Sequence, residues 1–334
     1  MSNAVPQVPA GLFTIVTRTL DSLGFSPDQL LELAGMPRWH HLDAGEMVSG
    51  HHYYRIMDWS ARYLGDEEFG ARIPQHAPII SIGALGSAIR RSKSLYDAIN
   101  SINKEYGQAA NVAQFFTINT PTETHWCFKH LFSHDDSVHQ VNLATLQYMI
   151  DTVRLAAGPD WRPSRIHLAR GKMPGQDHLE IFRDREIVYF QGMSGISIKK
   201  SLLPCQIPRE RLKAGAESSG WSEIETPPDS FTGSLRLLLK AHIREGIFQI
   251  SSLAEAVGMS KRTLQRRLGE EGLSFSVLLD DLRFELTAEL MRELDYPLIA
   301  IAHDLGYRDQ AHFTRSFRRW TGMSPSEYRS HLQI

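Results

Sequence analysis

Apolar residues recur along this chain at two different periods. In the first two hundred positions Leu12, Ile15, Val16, Leu20 and Leu23 fall at three- and four-residue steps, as do Leu143, Leu146, Ile150 and Val153. Both runs predict amphipathic helices. Short β-prone runs lie between and after them, at 115–118, 126–128, 166–168 and 187–190. Beyond residue 230 no comparable strand run occurs, and turn residues punctuate a helical pattern throughout. The fold class expected is therefore an α+β N-terminal domain followed by an all-α C-terminal domain. Between them the segment 214–220 is small and polar, and 223–229 ends on Pro227-Pro228, which reads as a linker. The boundaries expected are 1–210, a linker over 211–229, and 230–334.

The C-terminal part repeats itself. Leu253-Ala254, Gly258, Leu264, Arg266, Leu268, Gly272 and Ser274 return as Ile301-Ala302, Gly306, Phe313, Arg315, Phe317, Gly322 and Ser324, with an offset drifting from 48 to 50. Each copy has the pattern of a helix-turn-helix: an apolar-Ala pair packs one helix, a glycine four residues on permits a sharp turn, and a second helix follows. The units are expected at about 250–268 and 298–319. A helix over about 276–294 joins them, with Leu278, Leu279, Leu282, Leu286 and Leu290 on one side. Nineteen residues would span about 28 Å, near the roughly 34 Å between successive major-groove faces. Its acids Asp280, Asp281, Glu285 and Glu289 read as a solvated side rather than acid–base machinery.

In the first unit Ser260 is placed to cap a helix whose Leu264 and Leu268 point inward, leaving Lys261, Arg262, Gln265 and Arg266 outside. In the second, Phe313 and Phe317 point inward, and Gln310, His312, Thr314 and Arg315 face out, with Arg318 and Arg319 near the end. Arg bonds bidentately to guanine and Gln to adenine in the major groove. Lys261, Arg267, Arg318 and Arg319 suit phosphates. One such helix could be a solvated basic face; two in register on a repeated scaffold point to DNA.

Ile301-Ala302, Leu305-Gly306-Tyr307, Gln310, His312-Phe313, Arg315, Phe317-Arg318-Arg319, Thr321-Gly322, Ser324-Pro325 and Tyr328-Arg329 resemble the C-terminal signature of AraC/XylS-type transcription regulators. With the first copy the resemblance covers about one hundred residues. It implies recognition positions at Arg262, Gln265 and Arg266, and at Gln310, His312, Thr314 and Arg315. Ser81-Ile82-Gly83-Ala84-Leu85-Gly86, Trp161-Arg162-Pro163 and Ser201-Leu202-Leu203-Pro204 are similar to the effector-sensing and dimerisation domain of the ornithine-utilisation branch. Helical stretches occupy too much of this half for the β-rich cupin type. The resemblance implies an effector-responsive activator whose partners are double-stranded promoter DNA, a small-molecule effector, RNA polymerase and a second copy of the chain. No effector-binding residue can be named from it.

Composition narrows the alternatives. Thirty-six Lys+Arg against 38 Asp+Glu give a net charge of −2, which argues against a wholly electrostatic nucleic-acid binder. From residue 230 onward 14 basic residues meet 13 acidic ones, so charge must be counted helix by helix. Two cysteines, Cys127 and Cys205, cannot build a disulfide framework. A missing signal pattern and the lack of any membrane-length apolar run complete the expectation of a cytoplasmic protein without a membrane partner. His125, His130, His134 and His139 cluster in sequence, but five residues along a strand put His125 and His130 on opposite faces. No metal site and no cofactor are expected. His40-His41 and His51-His52 read as polar surface or helix ends. Cys205 lacks the neighbouring His of an alkyl-acceptor thiol and reads as a small buried hydrophobe. Gly192-Met193-Ser194-Gly195 is no nucleophile elbow. Trp59, Trp126, Trp161 and Tyr189 could line an effector pocket or fill the core. No catalytic residue is expected. An enzyme or thiol-transfer protein targeted to DNA, and a ligand-free dimerisation module on the same DNA-binding domain, are the alternatives.

Overall fold

The computed structural model describes residues 4–36, 42–132, 138–172, 176–189, 191–212, 226–244, 249–292 and 296–332. They form two compact units, one of Pro6–Pro227 and one of Met1–Val5 with Pro228–Ile334. Most of the expected linker, and with it 213–225, lies outside the described residues, as do His40, His41 and His134.

The first unit is α+β. It runs β1 (Gln7–Pro9), α1 (Ala10–Ser22), α2 (Pro27–Leu33), β2 (Met47–Ser49), α3 (Gly50–Leu64), α4 (Phe69–His76), α5 (Gly83–Arg91) and α6 (Leu95–Ala109). It continues with β3 (Ala113–Asn119), β4 (Glu123–His130), α7 (Val138–Ala157), β5 (Arg165–His167), β6 (Glu186–Val188) and β7 (Ser194–Lys199). Strands β1 and β2 pair alone; the rest make a five-stranded sheet in the order β3-β4-β7-β5-β6. All of its pairs are antiparallel except β5 with β6.

Strand alternation divides this sheet chemically. Trp126, Phe128, Ile166, Ile196 and Ile198 are buried in a core shared with α6 and α7. The Trp126 indole donates to Asn103 at 2.8 Å, so burying the ring leaves no orphaned donor. The other face carries a polar ladder. There Arg165 bridges Glu123 at 3.1 Å and Glu186 at 2.8 Å, and the Ser197 hydroxyl lies 2.8 Å from His125 Nδ1 and 2.9 Å from His167 Nε2. Strand β7, central to the sheet, was not foreseen. Its alternation is Ile196, Ser197, Ile198 behind a glycine-rich start, and polar Ser197 on the far face masks the run.

The helix ends follow side-chain chemistry. Ser26, Ser49 and Ser94 cap α2, α3 and α6 by accepting from the third residue on. In α5, Gly86 lets the helix touch another backbone, since a Cβ there would sit 2.1 Å from the Ile80 carbonyl oxygen. His51 and His52 do occupy a helix start, but His52 is buried and His51 packs edge-on against Phe132.

The second unit is helical, as the pattern predicts. It comprises α8 (Phe231–Arg244), α9 (Ile250–Ala256), α10 (Lys261–Glu270), α11 (Phe275–Leu290), α12 (Leu298–Asp304), α13 (Gln310–Thr321) and α14 (Pro325–Leu332). Its core joins Phe231, Leu235, Leu238 and Leu239 of α8 to Leu253, Leu264, Leu268, Leu278, Leu282, Ile301, Phe313 and Phe317, and Val5 is buried with them. The connecting helix α11 has 16 residues, about 24 Å by helix rise, and ends at Leu290, with the last leucine of its apolar run, rather than near 294.

Candidate nucleic-acid interface

Two helix-turn-helix units lie at the ends of α11. In each the first helix stops at a glycine with left-handed backbone, Gly258 at φ 64° and Gly306 at φ 71°. A side chain at such a position clashes with its own backbone, so glycine makes the turn. The second helix of each unit then starts at a capping side chain: Ser260 accepts from Thr263 N at 3.1 Å, and Asp309 from His312 N at 2.7 Å. The repeat persists beyond them. Gly272 and Gly322 again have positive φ, and Ser274 and Ser324 accept from the third residue on, with Glu327 returning a carboxylate to Ser324 N.

Helix α10 buries Leu264 and Leu268 and exposes Lys261, Arg262, Gln265 and Arg266. Helix α13 buries Phe313, Ser316 and Phe317 and exposes Gln310, His312, Arg315, Arg318 and Arg319. Thr314 is half-buried, and its hydroxyl donates to the Gln310 carbonyl at 2.8 Å. The His312 ring stands edge-on to Tyr307, 5.4 Å between centroids. Each expected position thus lies on the helix expected, and the two sets lie on matching elements of the repeat.

Not all these cations stand alike. Lys261, Arg262 and Arg315 hold no ion pair among the described residues. Helix α10 continues two residues past its expected end, which brings Glu270 one turn below Arg266 and pairs them. Arg319 reaches Asp280 of α11 at 2.6 Å. Arg267 is half-buried, with its guanidinium over the Phe231 ring, 5.0 Å from the centroid.

The acids of α11 have work that the sequence did not show. Besides Asp280 with Arg319, Glu285 meets Arg236 at 2.5 Å and Glu289 meets Lys240 at 3.8 Å, both on α8. Three of the four acids read as a solvated side therefore tie neighbouring helices to the connector. Arg283 completes the joint to the second unit. Its Nε donates to the Leu305 carbonyl at 3.0 Å and its guanidinium lies 4.5 Å from the Tyr307 ring centroid. Burial holds the Arg283 pKa below the usual arginine value and pushes the Tyr307 phenol up.

A second concave site lies in the α+β unit. A cavity of about 730 Å³ opens between the end of α3, the ends of β4 and β5, the start of α7 and the turn before β7. Its apolar lining includes Ala61, Phe128, Val138 and Leu168, and its polar lining includes Asp58, Asp66, Glu67, Lys129, His130, Asn142, Arg170 and Ser194. None of Trp59, Trp126, Trp161 and Tyr189 lines it. Trp126 is fully buried and Trp59 exposed, while Trp161 and Tyr189 pack at the edge of the core.

His130 and His125 do fall on opposite faces of the sheet, the first bonded to Tyr54 and Asn142, the second to Ser197. Cys205 is half-exposed rather than buried, with its thiol 3.8 Å from the Ser201 carbonyl. Cys127 is the buried cysteine, and burial pushes its thiol up to about 12. Among the described residues no group of three or more His, Cys, Asp and Glu is placed to hold a metal, and no helix is long and apolar enough to cross a membrane.

Comparison with known proteins agrees with this geometry. Residues 253–331 match the helix-turn-helix domain family, and residues 24–207 match the arabinose-binding domain of AraC transcription regulators. Over 328 residues the chain is 25% identical to the HTH-type transcriptional regulator VirS of Mycobacterium tuberculosis, covering 94% of each. It is 39% identical over 95 residues to the ornithine utilization regulator of Pseudomonas aeruginosa, covering 28% of this chain and 27% of that one. The crystal structure of the transcriptional regulator CdpR from Pseudomonas aeruginosa aligns over 96% of this chain and 98% of its own, at 16% identity and a TM-score of 0.42. With the N-terminal match spanning more than half of its length and the helix-turn-helix match most of the rest, the chain belongs to the AraC family of DNA-binding transcription regulators.

Proposed function

We propose that this regulator is an effector-responsive activator. It reads promoter DNA through α10 and α13 and works as a homodimer. The observation that carries this is the repetition of one surface twice: a capped helix with an apolar pair buried one turn apart and Arg with Gln outside. Arg262, Gln265 and Arg266 face base edges in one major-groove segment, and Gln310, His312, Thr314 and Arg315 in the next. Lys261, Arg318 and Arg319 hold phosphates. The α+β part, about 1–210, senses the effector and pairs the chains, and 230–334 binds DNA. Effector binding favours the arrangement that matches the operator, and a tenfold response requires about 1.4 kcal/mol of differential binding. The match of residues 24–207 to the arabinose-binding domain of AraC regulators supports a small metabolite as the effector class. RNA polymerase is the downstream partner, the cytoplasm the site of action, and no catalysis is part of the function.

Selection of binding sites from random duplex DNA by the purified chain tests this. A bipartite motif is expected. Arg266→Ala and Arg315→Ala should each cost about 1–3 kcal/mol on it and flatten base preference in one half only. A uniform loss on all sequences would make these residues phosphate contacts, and selection of no motif would overturn the reading.

A further inference from the structure

The five-stranded sheet ends at β3 in an open edge. Val112 and Thr120 flank this strand and both bond across to the β4 side, the Val112 carbonyl accepting from Leu131 N and the Thr120 N–H donating to the Glu123 carbonyl, each at 2.9 Å. Backbone groups alternate in direction along an antiparallel strand, so the even-numbered residues of β3 face β4. Ala113, Phe115, Thr117 and Asn119 therefore turn their N–H and C=O groups outward. Among the described residues none of these outward groups has a hydrogen-bond partner. Just before the strand the edge is still covered, since Asn111 N donates to the Gln7 carbonyl at 3.3 Å.

Natural sheets guard such edges with short strands, charges, proline or bulges. The opposite edge does so: β6 has three residues and opens on Glu186, which holds Arg165 at 2.8 Å. Strand β3 has none of these devices. Its seven residues carry no charge and no proline, and they pair with β4 in unbroken register. Phe115 fastens the strand to the core, its ring centroid 4.6 Å from that of Tyr106 and 5.6 Å from that of Phe128, so the edge is held firm. On the other face Gln114 and Ile118 are exposed, Ile118 at 39%.

We propose that β3 is the seam of the dimer, pairing antiparallel with β3 of a second copy about Phe116 and joining two five-stranded sheets into one. The proposal rests on the homodimer reading above and adds the place and the register. Among two-fold registers that use the outward residues, the one centred on Phe116 pairs the whole strand. It sets Phe115 opposite Thr117 and Ala113 opposite Asn119 as hydrogen-bonded pairs. Phe116 meets its own copy where the chains come closest, at about 4.5 Å between Cα atoms. Aromatic–aromatic and aromatic–β-branched pairs are favourable across strands, and no like charges meet. The strand is complementary to itself, which favours a second copy over an unrelated chain.

Sedimentation of the full-length protein over a range of concentrations tests it. The wild-type chain is expected to dimerise. Thr117→Pro removes an outward N–H that bonds nothing within the chain, and should weaken the dimer by about tenfold. Gln114→Glu with Ile118→Glu, both at exposed positions, sets acid against acid across the seam and should weaken it by about as much. Gln114→Glu with Ile118→Lys sets acid against base and should restore it. Circular dichroism checks that each variant keeps its fold, and the two paired variants decide the matter if the proline variant does not. A wild-type dimer indifferent to every variant, or lost equally in both paired variants, keeps the homodimer reading and overturns the seam. A wild-type chain that stays monomeric, alone and on selected operator DNA, overturns the homodimer reading itself.

Discussion

At the scale of single residues, the exposed cations of the two recognition helices differ in what they must give up on meeting DNA. Arg315, Lys261 and Arg262 are ready to bind, whereas Arg266 has to leave Glu270 and Arg319 has to leave Asp280. An exposed i,i+4 pair contributes only about 0.3–0.5 kcal/mol, so Glu270 tempers Arg266 without blocking it. Glu270→Gln should strengthen operator binding about two- to fivefold by freeing the guanidinium and removing an anion near the phosphates. Lys261→Ala should lower the salt dependence of binding by about one unit. Both are read from binding curves at several salt concentrations; an unchanged slope removes Lys261 from the phosphate contacts, and weaker binding by the Gln variant gives Glu270 a positioning role.

Between elements, the turn glycines and the connector matter most. Gly258 and Gly306 occupy left-handed backbone that costs an L-residue about 1–2 kcal/mol. Gly306→Ala should destabilise the helical unit by that amount in chemical denaturation, and loss of a few tenths or less would show that the turn relaxes. The apolar-Ala pair, the glycine and the capping serine made both turns legible before any coordinates, because each is a local device. Arg283 was not legible. Its carbonyl partner, Leu305, and its ring partner, Tyr307, lie more than twenty residues away, and only folding brings them to α11. The same holds for the acids of α11, whose partners on α8 and α13 no spacing rule connects.

For the whole molecule, acid is the simplest perturbation. His167 in the α+β unit and His242 in the helical unit are buried, and burial holds both below the usual histidine value, with His125 adding to the effect on His167. In the unfolded chain they take up protons near pH 6.5, while the folded chain resists. Below that pH the unfolded state binds more protons, so stability falls with acidification, by up to about 1.4 kcal/mol per pH unit for each histidine. Above about pH 7 neither histidine contributes to the pH dependence. Thermal unfolding between pH 7.5 and 5.5 should therefore show a falling midpoint, and His242→Leu should reduce the fall in the helical unit. A midpoint independent of pH would mean that these imidazoles protonate in place.

By itself the sequence determined the two-part fold class, the doubled helix-turn-helix, its inward apolar pairs and its outward Arg and Gln positions. All of these are encoded by local periodicity, capping and turn chemistry, which act over four or five residues. The tertiary structure alone decided which cations are paired, that Arg267 lies on Phe231, that β7 is central to the sheet, and that Asn142, Ser194, Lys129 and Arg170 share one cavity. Those relations join residues far apart in the chain, and side-chain spacing holds no record of which distant groups the burial of two cores will bring together.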